Sequence, residues 1–141
     1  MRAAEYLKQI QKFECIIKNK LEEKERWMAM ATNVSAHIGG ERVQSSGSQQ
    51  KMADAVIESV DIEKQIAAEV SRLIQKRNDI MQTIEQLDIM EYEFIYKVYV
   101  ENLSLKEVAV YFCKSYGWAT DFHRKALRKV QIIIDAKKEA I

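Results

Sequence analysis

Arg124, Lys125, Arg128 and Lys129 recur at helical spacing, which lines four cations along one helix. From Trp118 to Lys138 there are six basic and two acidic residues, in a chain of formal net charge +1. A cationic helix on a near-neutral chain suits docking to phosphate more than bulk attraction to polyanions. Tyr116, Gly117, Thr120, Asp121 and Arg124 occupy the outward positions of the first turns of the same helix. They offer a phenol, bare backbone, a hydroxyl, a carboxylate and a guanidinium, the groups that read base edges in a major groove. Lys114, Ser115, Lys125, Arg128 and Lys129 are placed to contact flanking phosphates and so fix register. The plain alternative for such a charge run is a solvated helix face. A second polar group, Arg42, Gln44, Ser45, Ser46, Ser48 and Lys51, is expected either to grip nucleic acid or to meet a protein partner.

Other chemistry is not supported by the residues. No phosphate-binding glycine loop, nucleophile elbow or zinc-protease helix motif occurs. His37 and His123 have no acidic or thiol partners at metal-ligand spacing, so no metal and no cofactor are expected. Glu22, Glu23 and Glu25 sit on an amphipathic helix and read as solvated carboxylates rather than an acid–base pair. Cys15 and Cys113 lie far apart and form no CxxC, which fits reduced thiols in a cytoplasmic protein. We expect no enzyme.

The elements that must hold the basic helix are all helical. The chain has 141 residues, no proline and four glycines, with 48% hydrophobic and 30% charged residues. That is a foldable composition in which little breaks a long helix. No run reaches the roughly 18–20 apolar residues of a membrane span, and the first residues lack the apolar core of a secretory signal. Tyr6, Ile10, Phe13, Ile17, Leu21, Met28 and Ala31 mark one amphipathic helix over residues 3–32. Val56, Val60, Ile66, Val70, Leu73, Ile80, Ile84 and Leu87 mark a second over 52–87. Between them, residues 33–51 carry three of the four glycines and four serines, and read as a loop. The two helices should pair antiparallel as a coiled-coil-like hairpin (1–87) that associates with a second copy or a partner.

Residues 88–141 read as a tri-helical domain. Asp88 is a candidate cap for a helix over 89–101, whose apolar face uses Phe94, Ile95, Val98 and Tyr99. Ser104, with Glu107 three residues on, is a capping box opening a helix over 105–112. Cys113, Lys114 and Ser115 then form a turn, and Ser115 caps a helix over 116–134. Two helices so joined cross at roughly 90–120°, with Ala109 as the small residue at the crossing. Trp118 is expected to pack on the preceding helix. The second helix then stands proud, able to enter a groove about 12 Å wide.

The stretch Tyr92–Val130, YEFIYKVYVENLSLKEVAVYFCKSYGWATDFHRKALRKV, resembles region 4 of bacterial sigma factors. The opening AAEYLKQI, the central GERVQSSGSQQKMADAV and the C-terminal helices are similar to phage and prophage late-gene regulators of the ArpU/RinA type from Gram-positive bacteria. The resemblance covers almost the whole chain. It implies a sigma-region-4-like helix-turn-helix, double-stranded DNA and RNA polymerase as partners, activation of late or packaging genes, and the bacterial host cytoplasm. Four positions depart from the pattern: Cys113 where glycine is usual, Lys114 where an apolar residue is common, Gly117 in the first turn, and Asp121 on the reading face. Two other readings stand beside this one. A small terminase subunit for phage packaging also joins such a motif to helical oligomerisation elements. A coiled-coil adaptor would use the tri-helical part as a packing cap without DNA.

Overall fold

The computed structural model describes residues 1–40 and 46–140, with the side chains of residues 33–48 left aside. Among the described residues every regular element is helical. They are α1 (Ala3–Leu7), α2 (Gln9–Gly40), α3 (Ser46–Ile84), α4 (Ile89–Ile95), α5 (Leu105–Tyr111) and α6 (Tyr116–Glu139), with a π-helical segment (Tyr96–Val100) following α4. The chain divides into two compact units: residues 1–12 with 73–141, and residues 13–72.

The first unit holds a contiguous core. Leu7, Ile10, Ile80, Ile84, Phe94, Ile95, Val108, Ala119, Ala126 and Val130 are fully buried in it. The N-terminal turn is tied to α6 through one carboxamide. Gln131 accepts from the backbone N–H of Ala3 at 2.7 Å and donates to the carbonyl of Met1 at 3.2 Å. A second tie is polar and partly buried. The Tyr6 hydroxyl lies 2.8 Å from Asp79 and 2.9 Å from Thr83, and Lys137 donates to Thr83. Burial drives the Tyr6 phenol up to about 12, because the phenolate would have to form away from water.

The three expected caps are in place. Asp88 accepts from Glu91 N–H at 2.9 Å, Ser104 from Glu107 N–H at 3.2 Å and Ser115 from Trp118 N–H at 3.1 Å. Each satisfies an N–H that has no partner inside its helix. The helix over 89–101 differs from the expectation in its second half. There the Glu101 N–H bonds to the Tyr96 carbonyl, five residues back. Phe94, Ile95 and Tyr99 are buried in and just before this wider turn, and such turns occur mostly as single-turn insertions in α-helices. α6 runs on to Glu139, past the expected end at 134, because nothing in Asp135–Lys138 breaks a helix.

The second unit pairs its two helices antiparallel. Lys20 donates to Gln65 at 2.7 Å and Lys24 meets Glu63, so the partner number falls as the α2 number rises. Two expectations need correction here. The loop assigned to 33–51 is mostly helical backbone, since α2 reaches Gly40 and α3 begins at Ser46. Glycine and serine lower helix propensity by up to about 1 kcal/mol each but, unlike proline, remove no hydrogen bond. Over its first turns the buried seam of α3 is also rotated from the expected stripe, whereas farther along the helix Ile80 and Ile84 are buried as expected. Ala55, Ser59 and Ile62 are buried, whereas Val56 and Val60 are 49% and 44% exposed. The helix carries two adjacent rows of small and apolar residues, and periodicity alone does not say which faces α2.

Candidate nucleic-acid interface

α5 and α6 are held together by an aromatic cluster. The Phe94 ring centroid lies 6.0 Å from Phe112, 6.0 Å from Trp118 and 5.0 Å from Phe122, and Trp118 stacks on Phe122 at 4.9 Å. Val108 and Ala109 from α5 and Ala119 from α6 are buried nearby in the same core. The small buried alanines let two helix backbones come close.

The link between the helices is fixed by backbone geometry. Lys114 N–H bonds to the Ala109 carbonyl at 2.9 Å and Cys113 N–H to Val110 at 3.0 Å. This is the Schellman arrangement, and it needs a left-handed residue at Cys113, whose φ is 57°. Glycine would adopt that conformation without steric cost, so Cys113 holds a position whose backbone favours glycine. Ser115 then caps α6 through its oxygen lone pair, leaving its hydroxyl hydrogen available to an outside acceptor.

The outward residues named from the sequence fall on α6 as follows. Tyr116 is about half exposed. A Cβ at Gly117 would meet only Ser115 Oγ, at 3.9 Å, and the glycine has no positive φ. Neither space nor backbone conformation within the chain therefore requires glycine there. Thr120 shares its one hydroxyl hydrogen between the carbonyls of Tyr116 at 2.8 Å and Gly117 at 3.1 Å. It thus presents a methyl and lone pairs, not a donor. Asp121 and Arg124 are 73% and 71% exposed and approach to 4.0 Å. Lys114, Lys125 and Arg128 are exposed.

Lys129 stands apart from its neighbours. Its ammonium is 2.8 Å from Glu91, whose side chain is only 6% exposed, and 3.8 Å from Asp88. The hydrogen bond that Lys129 donates to Glu91 raises the Lys129 pKa, against a smaller desolvation effect. Lys129 is thereby engaged in tying α6 to the start of α4. No spacing pattern marks this pair, since Glu91 reads only as a first-turn acid and lies 38 residues away. Of the second polar group, Lys51 is exposed on α3. Arg42, Gln44 and Ser45 lie outside the described residues, as do the side chains of Ser46 and Ser48.

His123 faces inward from α6, with a ring nitrogen 2.7 Å from the Tyr99 hydroxyl and its ring against Phe94 and Tyr99. Burial pushes its pKa below the ordinary imidazole value, assisted by the charge of Lys8. Burial also lifts the Tyr99 phenol to about 12, so the pair is neutral at pH 7. The folded chain binds the imidazole proton less readily than the unfolded chain. Stability is therefore full above the unfolded value and falls as pH drops through the depressed folded value. Urea midpoints at pH 7.5 and 5.5 should differ for the wild type, and less so for His123→Asn. Equal differences would place the acid-sensitive group elsewhere.

Among the described residues no group of three His, Cys, Asp or Glu is arranged to hold a metal ion. Nor is any described helix long and apolar enough to cross a membrane. The chain matches no protein-family model, no curated protein and no solved structure.

Proposed function

We propose that this chain is a sequence-specific regulator of transcription that binds double-stranded DNA, with α5, the Cys113 turn and α6 acting as a sigma-region-4-like helix-turn-helix. One observation carries the reading. Arg124, Lys125 and Arg128 stand exposed on one helix, directly after a capped tight turn, and Lys125 and Arg128 form no ion pair with any described residue. In the reading α6 enters the major groove, its first turns face bases, and Lys114, Ser115, Lys125 and Arg128 meet phosphates. The resemblance to phage late-gene regulators adds the rest: RNA polymerase as a partner, late or packaging genes as targets, and the cytoplasm of a bacterial host as the setting.

The test is binding to duplex DNA by fluorescence anisotropy across a salt series. Replacing Lys125 and Arg128 together by Ala should weaken binding to every duplex by roughly tenfold or more, and flatten the plot of log affinity against log salt by about two. Neither change should lower thermal stability much. Lys129→Ala, in contrast, should lower the melting temperature more than Arg128→Ala, because it strands the buried Glu91 carboxylate. An unchanged salt slope in the double variant would leave the coiled-coil adaptor as the better reading.

The second unit supplies self-association in this proposal. Leu21, Met28, Val56, Val60 and Val70 are exposed, and a helix pair that buries so little gains stability from a further apolar surface. Sedimentation velocity at rising concentration should give a dimer. A closed ring of many copies would favour the packaging-protein reading instead, and a monomer at all concentrations would remove the oligomerisation role.

A further inference from the structure

Resting on the DNA-binding reading above, we infer that Asp121 and Arg124 form one reading unit that selects a cytosine and a guanine in the same or adjacent base pairs. The polar inventory of the α6 face leads there. Thr120 has committed its only hydroxyl hydrogen to the backbone of Tyr116 and Gly117, and Gly117 has no side chain. Beyond Tyr116, the exposed groups on these turns able to discriminate bases are the Asp121 carboxylate and the Arg124 guanidinium.

These two lie one helical turn apart with side chains already turned toward each other at 4.0 Å. A carboxylate only accepts hydrogen bonds and a guanidinium only donates. In the major groove the cytosine amine is the donor a carboxylate seeks, and the guanine O6 and N7 are the paired acceptors a guanidinium fits. In a C·G pair those atoms lie side by side, as the carboxylate and guanidinium do on α6.

Two features argue against a purely structural role for Asp121. Its side chain is 73% exposed and Arg124 is 71% exposed, and an ion pair that open contributes little to folding. A carboxylate facing a phosphate surface also repels it, so a bare negative charge on this face weakens docking unless a base donor meets it. The adjacent Arg124 lowers that repulsion.

The experiment is selection of bound duplexes from a random library, carried out with the full chain and with Asp121→Ala, Asp121→Asn and Arg124→Ala. The wild type should enrich a motif containing a C·G pair. Asp121→Ala should cut the preference for cytosine at that position from about tenfold to near none. Asp121→Asn should move it toward adenine, because an amide both donates and accepts and pairs with adenine N6 and N7. Arg124→Ala should relax guanine at the same or the neighbouring position, while Val110→Ala, on an exposed α5 position outside the assigned contacts, leaves the motif intact. A wild-type motif that the Asp121 and Arg124 variants all reproduce would overturn this assignment and leave DNA binding standing. A wild type that enriches no motif would overturn both.

Discussion

Phe94→Ala should destabilise the first unit by about 3–5 kcal/mol, the usual cost of emptying a buried aromatic site. Phe94 is fully buried. Its ring is where α4, the α5–α6 turn and α6 converge, through Phe112, Trp118, Phe122 and His123. Those neighbours belong to helices pinned by their own caps and cannot all collapse into the space left behind. Urea denaturation followed by near-ultraviolet circular dichroism, which reports the aromatic cluster, measures the loss. Val110→Ala, on an exposed α5 position, is the control and should change stability by no more than about 0.5 kcal/mol. A loss under about 1 kcal/mol for Phe94→Ala would mean that the ring cluster does not organise this core. The effect also bears on function. In the proposed reading α6 must be held rigidly, and in the folded chain this cluster is what holds it against α5.

What was legible in the sequence was local chemistry. Asp88, Ser104 and Ser115 cap helices because each oxygen serves an N–H three residues on, and such a pattern needs no knowledge of the rest of the chain. Trp118 packs against the Phe112 and Phe122 rings, as an aromatic beside a tight turn should. The left-handed Cys113 stands where the resemblance described above, rather than local chemistry, implies glycine.

What was not legible depended on tertiary partners. The rotation of the first turns of α3 was hidden because Ala55, Val56, Ser59 and Val60 offer two seams at the same period, and burial selects the one with the smaller side chains. The helical backbone on either side of residues 41–45 is hidden because glycine and serine content suggests a break, whereas their cost is spread along helices that have no proline to stop them. Among the candidate phosphate contacts, Lys125 and Lys129 look alike in sequence. Only the fold brings Glu91 to Lys129 and leaves Lys125 without an ion pair among the described residues. A charge run names the helix that faces solvent, but it does not sort the members that bind outward from those that bind inward.

Ala119→Leu tests the other requirement of the α5–α6 pair, close approach rather than bulk. Ala119 is fully buried on α6, and Ala109 of α5 is nearly so. Adding three carbons to a packed site forces off-rotamer side chains or backbone shifts, with a cost of about 1–3 kcal/mol and at times more. Here the neighbours are poor at yielding. The turn behind Ala119 is fixed by the Cys113 and Lys114 backbone bonds, so the strain should appear as a displacement of α6 rather than as local repacking. Two readouts should move together: the urea midpoint falls, and DNA affinity falls even under conditions where the variant remains folded. Ala119→Gly separates the causes. It loses helix propensity of about 1 kcal/mol without pushing the helices apart, so its DNA affinity should stay near wild type once the folded fraction is accounted for. If Ala119→Leu folds as well as wild type, the helices do not meet tightly at this site. If it loses stability but binds DNA normally when folded, the placement of α6 against α5 is not what the proposed interface depends on.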